Sequence, residues 1–490
     1  MKSAYLRQLL FLLLGPASCF VIAHTPAPEG MTPQGMLNLG ACAWIMLWWL
    51  TEVFPMPVTA ILSIPIYALL GLLAPAKAFS YFGSTSVMLI FGATILVGLL
   101  KESNFILRYA YMVMNCRFVH GSQFRLFLLF SLSTGMLSAI APNIPLIIIF
   151  VYIVVNLARS CEVSPKSRLV RGLTVLSGAA PAIGGIGTPL GGVPNLVVIA
   201  LIARIMEQEV TFWQWSALGL PIAFFSLIVL SVIAFFYFRT TESTAFLNRD
   251  FLEEKLKGFG PMSRYECIAM CAMGIALVLW SFGPSIAKMI GWNAGQTLLN
   301  GPFVAVLMGA ATFLLPLRRS EKDGRIIFAM DWKKALENIS WDILVITLGI
   351  LAFGDVLLAG GIDKWMAVLL QDILGNISGL WVWFICVLFA GLASQVVTNL
   401  ALISLVIPMT ASLAAIYGFN PLAACVSVGM TANVAVMFPF SSVGAAAAIT
   451  GGSEYAFTRD FAGYGFFVSL TISVLVFLMA VFFGDMLFPA

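Results

Sequence analysis

The chain has 490 residues, 61% of them hydrophobic and only 10% charged, with a net charge of +4. So apolar a composition excludes a water-soluble globular protein, and apolar runs that are continuous rather than alternating exclude a β-barrel. What remains is an all-α polytopic membrane protein in which Lys and Arg mark topology and imply no nucleic-acid partner. The eight scattered cysteines form no CxxC or Cys/His cluster and read as small apolar helix residues, and two histidines exclude a histidine-rich metal site.

Lys2 and Arg7 precede an apolar run over residues 9–23. This reads as a first membrane helix in preference to a cleaved signal peptide, because further hydrophobic spans follow it. Residues 24–33 are a proline-rich turn. Residues 36–54 and 58–74 are the next spans, parted by Pro55 and Pro57, and 86–100 is another. The stretch 101–125 carries Lys101, Arg108, Arg117 and Arg125; it is too polar to span and reads as an amphipathic helix in the interface. Residues 126–158 follow, and beyond them lie Arg159, Lys166, Arg168 and Arg171. Basic flanks on both sides put both ends in the cytoplasm. The segment is therefore a re-entrant hairpin or a pair of full spans. The hairpin is preferred, because residues 138–145 contain Pro142 and Pro145 and are read as unable to form a regular helix.

Residues 172–201 are long enough to span, yet their centre reads GGIGTPLGGVPN, with five glycines and two prolines between Gly184 and Asn195. No continuous helix survives that density, so a broken helix is predicted. Residues 217–238 form a clean span and 239–264 a basic cytoplasmic linker. The second half repeats the plan. Residues 265–286 and 297–317 span and end at a cytoplasmic loop with Arg318, Arg319, Lys322, Arg325, Lys333 and Lys334. Residues 341–359 cross again, and 361–375 are amphipathic. Residues 380–417 form a second hairpin with no basic flank, expected to enter from outside. Residues 421–450 break at 438–444, and 463–488 are the last span.

The expected organisation is a first helix and external loop (1–35), a first repeat (36–238), the linker (239–264) and a second repeat (265–490). It holds about eleven crossings, two re-entrant hairpins and two broken helices. The N-terminus is expected in the cytoplasm. One hairpin with basic flanks and one without is what an inverted repeat predicts.

The two hairpin tips also resemble each other. GMLSAIAPNIPL and GLASQVVTNLAL pair Gly135 with Gly391, Ser138 with Ser394, Asn143 with Asn399 and Leu146 with Leu402, about half a chain apart. Four broken places would then meet at the midplane: 138–143, 187–195, 394–399 and 438–444. Backbone N–H groups at half-helix N-termini suit an anion. Carbonyls and hydroxyls near half-helix C-termini suit a hard cation. No arginine or lysine lies in any of the four. An anion there must be held by dipoles, amides, hydroxyls and co-bound cations, which points to cation-coupled anion transport. The plainer alternative is that these residues only hydrogen-bond or kink neighbouring helices. Glu52, Asp342, Asp355 and Asp485 lie near predicted span ends and read as interfacial charges, with a proton relay through Asp355 left open.

GGIGTPLGGVPN together with the paired tips resembles the divalent anion/sodium symporter family, which includes dicarboxylate, citrate and sulfate transporters. The resemblance covers the chain after its first helix. It implies a homodimer with a scaffold and an elevator-type transport domain. It also implies sodium between each tip and its loop, and substrate carboxylates on Ser-Asn-Thr triplets at the tips. The first triplet falls on Pro142, Asn143 and Ile144, the second on Thr398, Asn399 and Leu400. The first loop falls on Gly191, Gly192, Val193, Pro194 and Asn195, the second on Ser441, Ser442, Val443, Gly444 and Ala445. Both asparagines are kept; both triplet threonines are replaced by Ile144 and Leu400.

The resemblance thus implies substrate contacts at Asn143, Asn399, Gly192, Pro194, Asn195 and Ser442. It implies sodium ligands among Ser138, Asn143, Gly191, Ser394, Thr398, Asn399 and Ser441. The reading is a secondary transporter of an organic anion, a di- or tricarboxylate, in the cell membrane. Sodium is its coupling ion, and no cofactor is expected. The rival on the same fold is a sodium-independent exchanger or proton-coupled carrier. A membrane-embedded enzyme would need paired acids, a His cluster or a Ser/His arrangement, none of which the sequence offers.

Overall fold

Polar residues at the turns decide where the helices begin. Thr32 accepts a hydrogen bond from the Gly35 N–H (2.9 Å) with Pro33 at the first helical position, Ser167 caps the Val170 N–H, and Asn420 caps Ala423 ahead of Pro421. Ser263 and Glu266 form a reciprocal capping box. Each device pairs N–H groups that a helix start otherwise leaves without partners.

The computed structural model describes residues 2–119, 121–141, 143–242, 249–299, 301–319, 324–452 and 454–489. The first half holds α1 (Lys2–His24), α2 (Pro33–Thr51), α3 (Met56–Leu69), the short α4 (Pro75–Ser80), α5 (Thr85–Glu102) and the amphipathic α6 (Phe105–Asn115). A helical hairpin follows, α7 (Gln123–Ser138) and α8 (Asn143–Ser160). Next come α9 (Arg168–Gly184) and α10 (Val193–Met206), parted by an irregular break, and the long α11 (Phe212–Tyr237). After α12 (Arg249–Phe259), the second half holds α13 (Arg264–Met289), α14 (Asn293–Leu298), α15 (Gly301–Ala311), α16 (Trp332–Asn338), α17 (Trp341–Ala359) and the amphipathic α18 (Ile362–Leu374). Its hairpin is α19 (Gly379–Ala393) and α20 (Asn399–Tyr417), its broken pair α21 (Pro421–Ala432) and α22 (Val443–Gly451), and its long span α23 (Thr458–Leu487). The order span, amphipathic helix, hairpin, broken helix, long span therefore occurs twice.

Within one continuous hydrophobic core, the packing falls into two groups of helices, called bodies below. In one, α3 lies on α17 and α5 lies on α13 and α15. In the other, α9 packs against both arms of the first hairpin, and α21 against both arms of the second. The two halves interlock there: α10 packs on α20 and α21, while α22 packs on α8 and α9. α11 and α23 lie together, and the Tyr464 hydroxyl donates to the Leu230 carbonyl at 2.9 Å. The bodies meet where α10 packs on α17 and α5, and where α18 packs on α20.

Several expectations change. Helix resumes at Asn143, so the irregular tip is shorter than residues 138–145; Pro145 falls in the first turn of α8, where its missing donor costs nothing. Pro142 lies outside the described residues. The second break runs over 433–442 rather than 438–444, and Gly444 is helical. The linker is not a plain loop: α12 buries Leu252 completely, and the Phe259 ring lies 6.0 Å from Tyr111 on α6. Arg108, read as a topological charge, clamps this linker by donating to the Gly260 carbonyl (2.7 Å) and to Glu266 (2.9 Å). The loop after α15 contains a small antiparallel pair, β1 (Pro316–Arg319) and β2 (Ile326–Phe328). Among the described residues, nine helices are long and apolar enough to cross a membrane. α3, α10, α15 and α21 are shorter apolar helices, because prolines and the breaks divide the apolar runs.

Candidate functional site

In the first half the glycine-rich break folds as two 3-10 turns, Gly185–Gly187 and Pro189–Gly191, between the C-terminal end of α9 and the N-terminal end of α10. Asn195, fully buried, closes the loop: its carboxamide donates to the carbonyls of Gly185 (2.8 Å) and Thr188 (2.7 Å). The loop also folds onto itself so closely that a Cβ on Gly185 would lie 2.5 Å from the Gly191 carbonyl oxygen, which only glycine avoids. Gly192 caps α10 in an extended conformation and Pro194 lies in that helix's first turn.

The first hairpin tip seats directly on this break. The Thr188 hydroxyl donates to the Ala139 carbonyl. The Ser138 hydroxyl lies between the Asn143 carboxamide oxygen and the Pro181 carbonyl (2.7 Å). A Cβ on Gly184 would meet the Gly135 carbonyl oxygen at 1.9 Å, so α7 and α9 touch backbone to backbone. From behind, the fully buried Trp215 of α11 donates its indole N–H to the Ile186 carbonyl at 2.9 Å. Ser138, Asn143, Gly191 and Asn195 are thus brought together, and the one Ser138 hydroxyl proton faces two acceptors, the Asn143 oxygen and the Pro181 carbonyl.

The second half reaches the same layout with different residues. Gln395, 2% exposed, stitches tip to break: it donates to the Val434 carbonyl (2.7 Å), and its oxygen accepts from the N–H groups of Val436 (3.0 Å) and Met437 (3.1 Å). Those contacts hold 434–437 out of helix. The Ser394 hydroxyl is spent on the Gly391 carbonyl at 2.9 Å. Ser441 donates to Phe438, and Ser442 caps the Ala445 N–H; both hydroxyls serve their own loop. Thr398 and Asn399 behave otherwise. The Thr398 hydroxyl and the Asn399 carboxamide oxygen are buried and have no hydrogen-bond partner among the described residues. An orphaned buried acceptor costs about 1–3 kcal/mol. Two adjacent ones, with no cationic side chain near in sequence, suit an oxygen-ligated cation by donor type, while the positive dipole end of α20 beside them favours an anion, so a cation there needs a co-bound anion to offset the dipole.

The sequence reading missed Gln395 and Asn433. Each is an amide inside an apolar run, and that was the available signal. The burial of Asp355, read from sequence as an interfacial charge near a span end, was also not foreseen. Asp355 is 6% exposed on α17 and accepts from Tyr81, from Arg204 of α10 and from Lys77 (3.0 Å).

The profile of the sodium:sulfate symporter transmembrane region matches residues 6–489. The sodium-dependent dicarboxylate transporter of Staphylococcus saprophyticus is 26% identical, over 98% of this chain and 92% of its own length. The sodium-dependent dicarboxylate transporter of Staphylococcus aureus is likewise 26% identical, over 97% of this chain and 91% of its own. The crystal structure of the Alcanivorax borkumensis YdaH transporter aligns over 99% of both chains with a TM-score of 0.55 at 12% identity, a likeness of fold. By its match across nearly the whole length, the chain belongs to the sodium:sulfate symporter family and is a multi-pass membrane transporter.

Proposed function

We propose that this transporter is a sodium-coupled carrier of a small organic anion, a di- or tricarboxylate. The observation that carries the reading is the second tip, where the Thr398 and Asn399 oxygens are buried without partners beside a helix terminus. A cation there would pair them and supply the positive charge that the site's own side chains lack. The tip asparagines Asn143 and Asn399, with Gly192, Pro194, Asn195 and Ser442 around the breaks, are the candidate contacts for the substrate carboxylates. Candidate sodium ligands are Thr398, Asn399, Ser394 and Ser441 in the second half, and Ser138, Asn143 and Gly191 in the first. The dicarboxylate transporters of the two staphylococci support the same substrate class.

Transport would proceed by an elevator movement of the hairpin-bearing body against the other, in a homodimer with inverted repeats and a cytoplasmic N-terminus. The separation of the packing into two bodies supports that movement. Uptake of radiolabelled succinate and citrate into proteoliposomes tests the reading: it should rise with an inward sodium gradient and fall to background in choline. A sodium-independent exchanger on the same fold is favoured by one observation, that the Ser138 hydroxyl already lies against the Asn143 oxygen at the first tip. Uptake in choline driven by internal dicarboxylate would decide for it.

A further inference from the structure

Asn433 stands at the C-terminal end of α21, 9% exposed, between the two halves of the site. Its amide N–H donates to the Asn195 oxygen at 2.6 Å, and its oxygen accepts from the Asn399 amide at 3.5 Å. Among the described residues these are the side-chain hydrogen bonds that join the first break to the second tip.

The chain of carboxamides has a direction. Both Asn195 N–H groups are committed to carbonyls, Gly185 and Thr188, so its oxygen must face Asn433. Asn433 must then present its amide to Asn195 and its oxygen to Asn399. Asn399 turns its amide toward Asn433, because the opposite orientation would set two oxygens against each other. Its own oxygen is therefore turned away from Asn433 and left buried without a partner, as is the hydroxyl of the preceding Thr398. Reversed, Asn399 would offer N–H groups there, and N–H groups do not ligate a cation.

We propose that Asn433 is a positioning residue that sets the polarity of the second tip. By holding Asn399 with its oxygen inward it makes that tip accept a cation, and it links this acceptance to the folding of the first loop through Asn195. The proposal rests on the reading of the second tip as an ion site. It also explains how the second half works with Ala445 at the position equivalent to Asn195: the polar link comes from Asn433, twelve residues earlier.

The test is a sodium titration of succinate uptake, with the succinate half-saturation measured at saturating sodium. Asn433→Ala should raise the sodium half-saturation concentration about tenfold or more, as loss of an orienting outer partner does at ion sites. Succinate half-saturation at saturating sodium should rise much less than the sodium value, because Asn143, Gly192, Pro194 and Ser442 make no hydrogen bond to Asn433 among the described residues. Asn399→Asp presents oxygen whichever way it turns, so adding Asn433→Ala to Asn399→Asp should leave the sodium half-saturation unchanged, read in this background by sodium-induced thermal stabilisation, which needs no transport. A merely structural lesion would persist in that background. Asn433→Ser, smaller but still hydrogen-bonding, should give an intermediate value and serves if the alanine variant fails to fold. Wild-type sodium affinity in folded Asn433→Ala or Asn433→Ser overturns the inference, as does an undiminished effect in the Asn399→Asp background. Uptake by the unsubstituted protein that ignores sodium instead overturns the underlying reading of the site.

Discussion

Asp355→Asn should loosen the two bodies from each other. Asp355 lies on α17 in one body and accepts from Arg204 on α10 in the other, while Lys77 and Tyr81 belong to its own side. The elevator movement proposed above would part the Arg204 tie and could leave the other two intact. Removing one member of a fully buried ion pair costs about 3–5 kcal/mol. Here the carboxylate is 4% exposed, but the Arg204 and Lys77 side chains are 39% and 48% exposed, so water takes over much of their solvation. A cost of about 1–2 kcal/mol follows for the state described here. That shifts its population against any state lacking the tie by a factor of about 5–30. Spin labels on cysteines replacing Leu69 of α3 and Phe482 of α23, 88% and 77% exposed, read the distance between the bodies in a cysteine-free background. Asp355→Asn and Arg204→Gln should both enrich the same second distance. If both variants keep the unsubstituted distribution, or if only one of them changes it, the tie is not a latch between moving bodies.

Asn143→Ala and Asn399→Ala should each abolish sodium-driven uptake while the protein stays folded; normal uptake in both would remove the site assignment. Gln395→Leu strands the buried Val436 and Met437 N–H groups and the Val434 carbonyl, at about 1–3 kcal/mol for each group. Its melting temperature should fall by several degrees, and an unchanged value would mean that the break is held by something else. Cysteines placed at Gly121 and Gly375, at the foot of each hairpin, should react with an impermeant thiol reagent from opposite faces of the membrane. Same-face labelling would exclude an inverted repeat.

The hairpins and the first break were legible because they depend on local chemistry. Apolar runs with a serine or threonine cap at one end and glycine or proline clusters at the other leave a helix few choices, as the Ser167 cap of α9 and the break after Gly184 illustrate. Asn143 and Asn399 stood out as polar residues at equivalent points of two apolar runs. The start of the second break was not legible. No glycine or proline marks residue 433, and the helix ends there because Gln395, distant in sequence, takes the backbone groups of 434–437. Asn433 was hidden for the same reason, since its partner Asn195 lies in the other half of the chain. The burial of Asp355 was not legible because it depends on Arg204 and Lys77 arriving from other helices. The helical content of the linker was missed because charge dominates its composition, and the apolar side that α12 turns to α6 rests on a few residues such as Leu252.

The most direct test of the central claim is thermal stabilisation of the purified protein against a panel of carboxylates and inorganic anions, each with and without sodium. A ligand that binds only the folded state raises the melting temperature by about 2.7 kcal/mol worth of stability at a hundredfold excess over its dissociation constant. A di- or tricarboxylate should raise it in sodium and not in choline, and Asn399→Ala should erase the shift. A carboxylate shift of equal size in sodium and choline would contradict sodium coupling, and a shift with inorganic anions alone would contradict the substrate class.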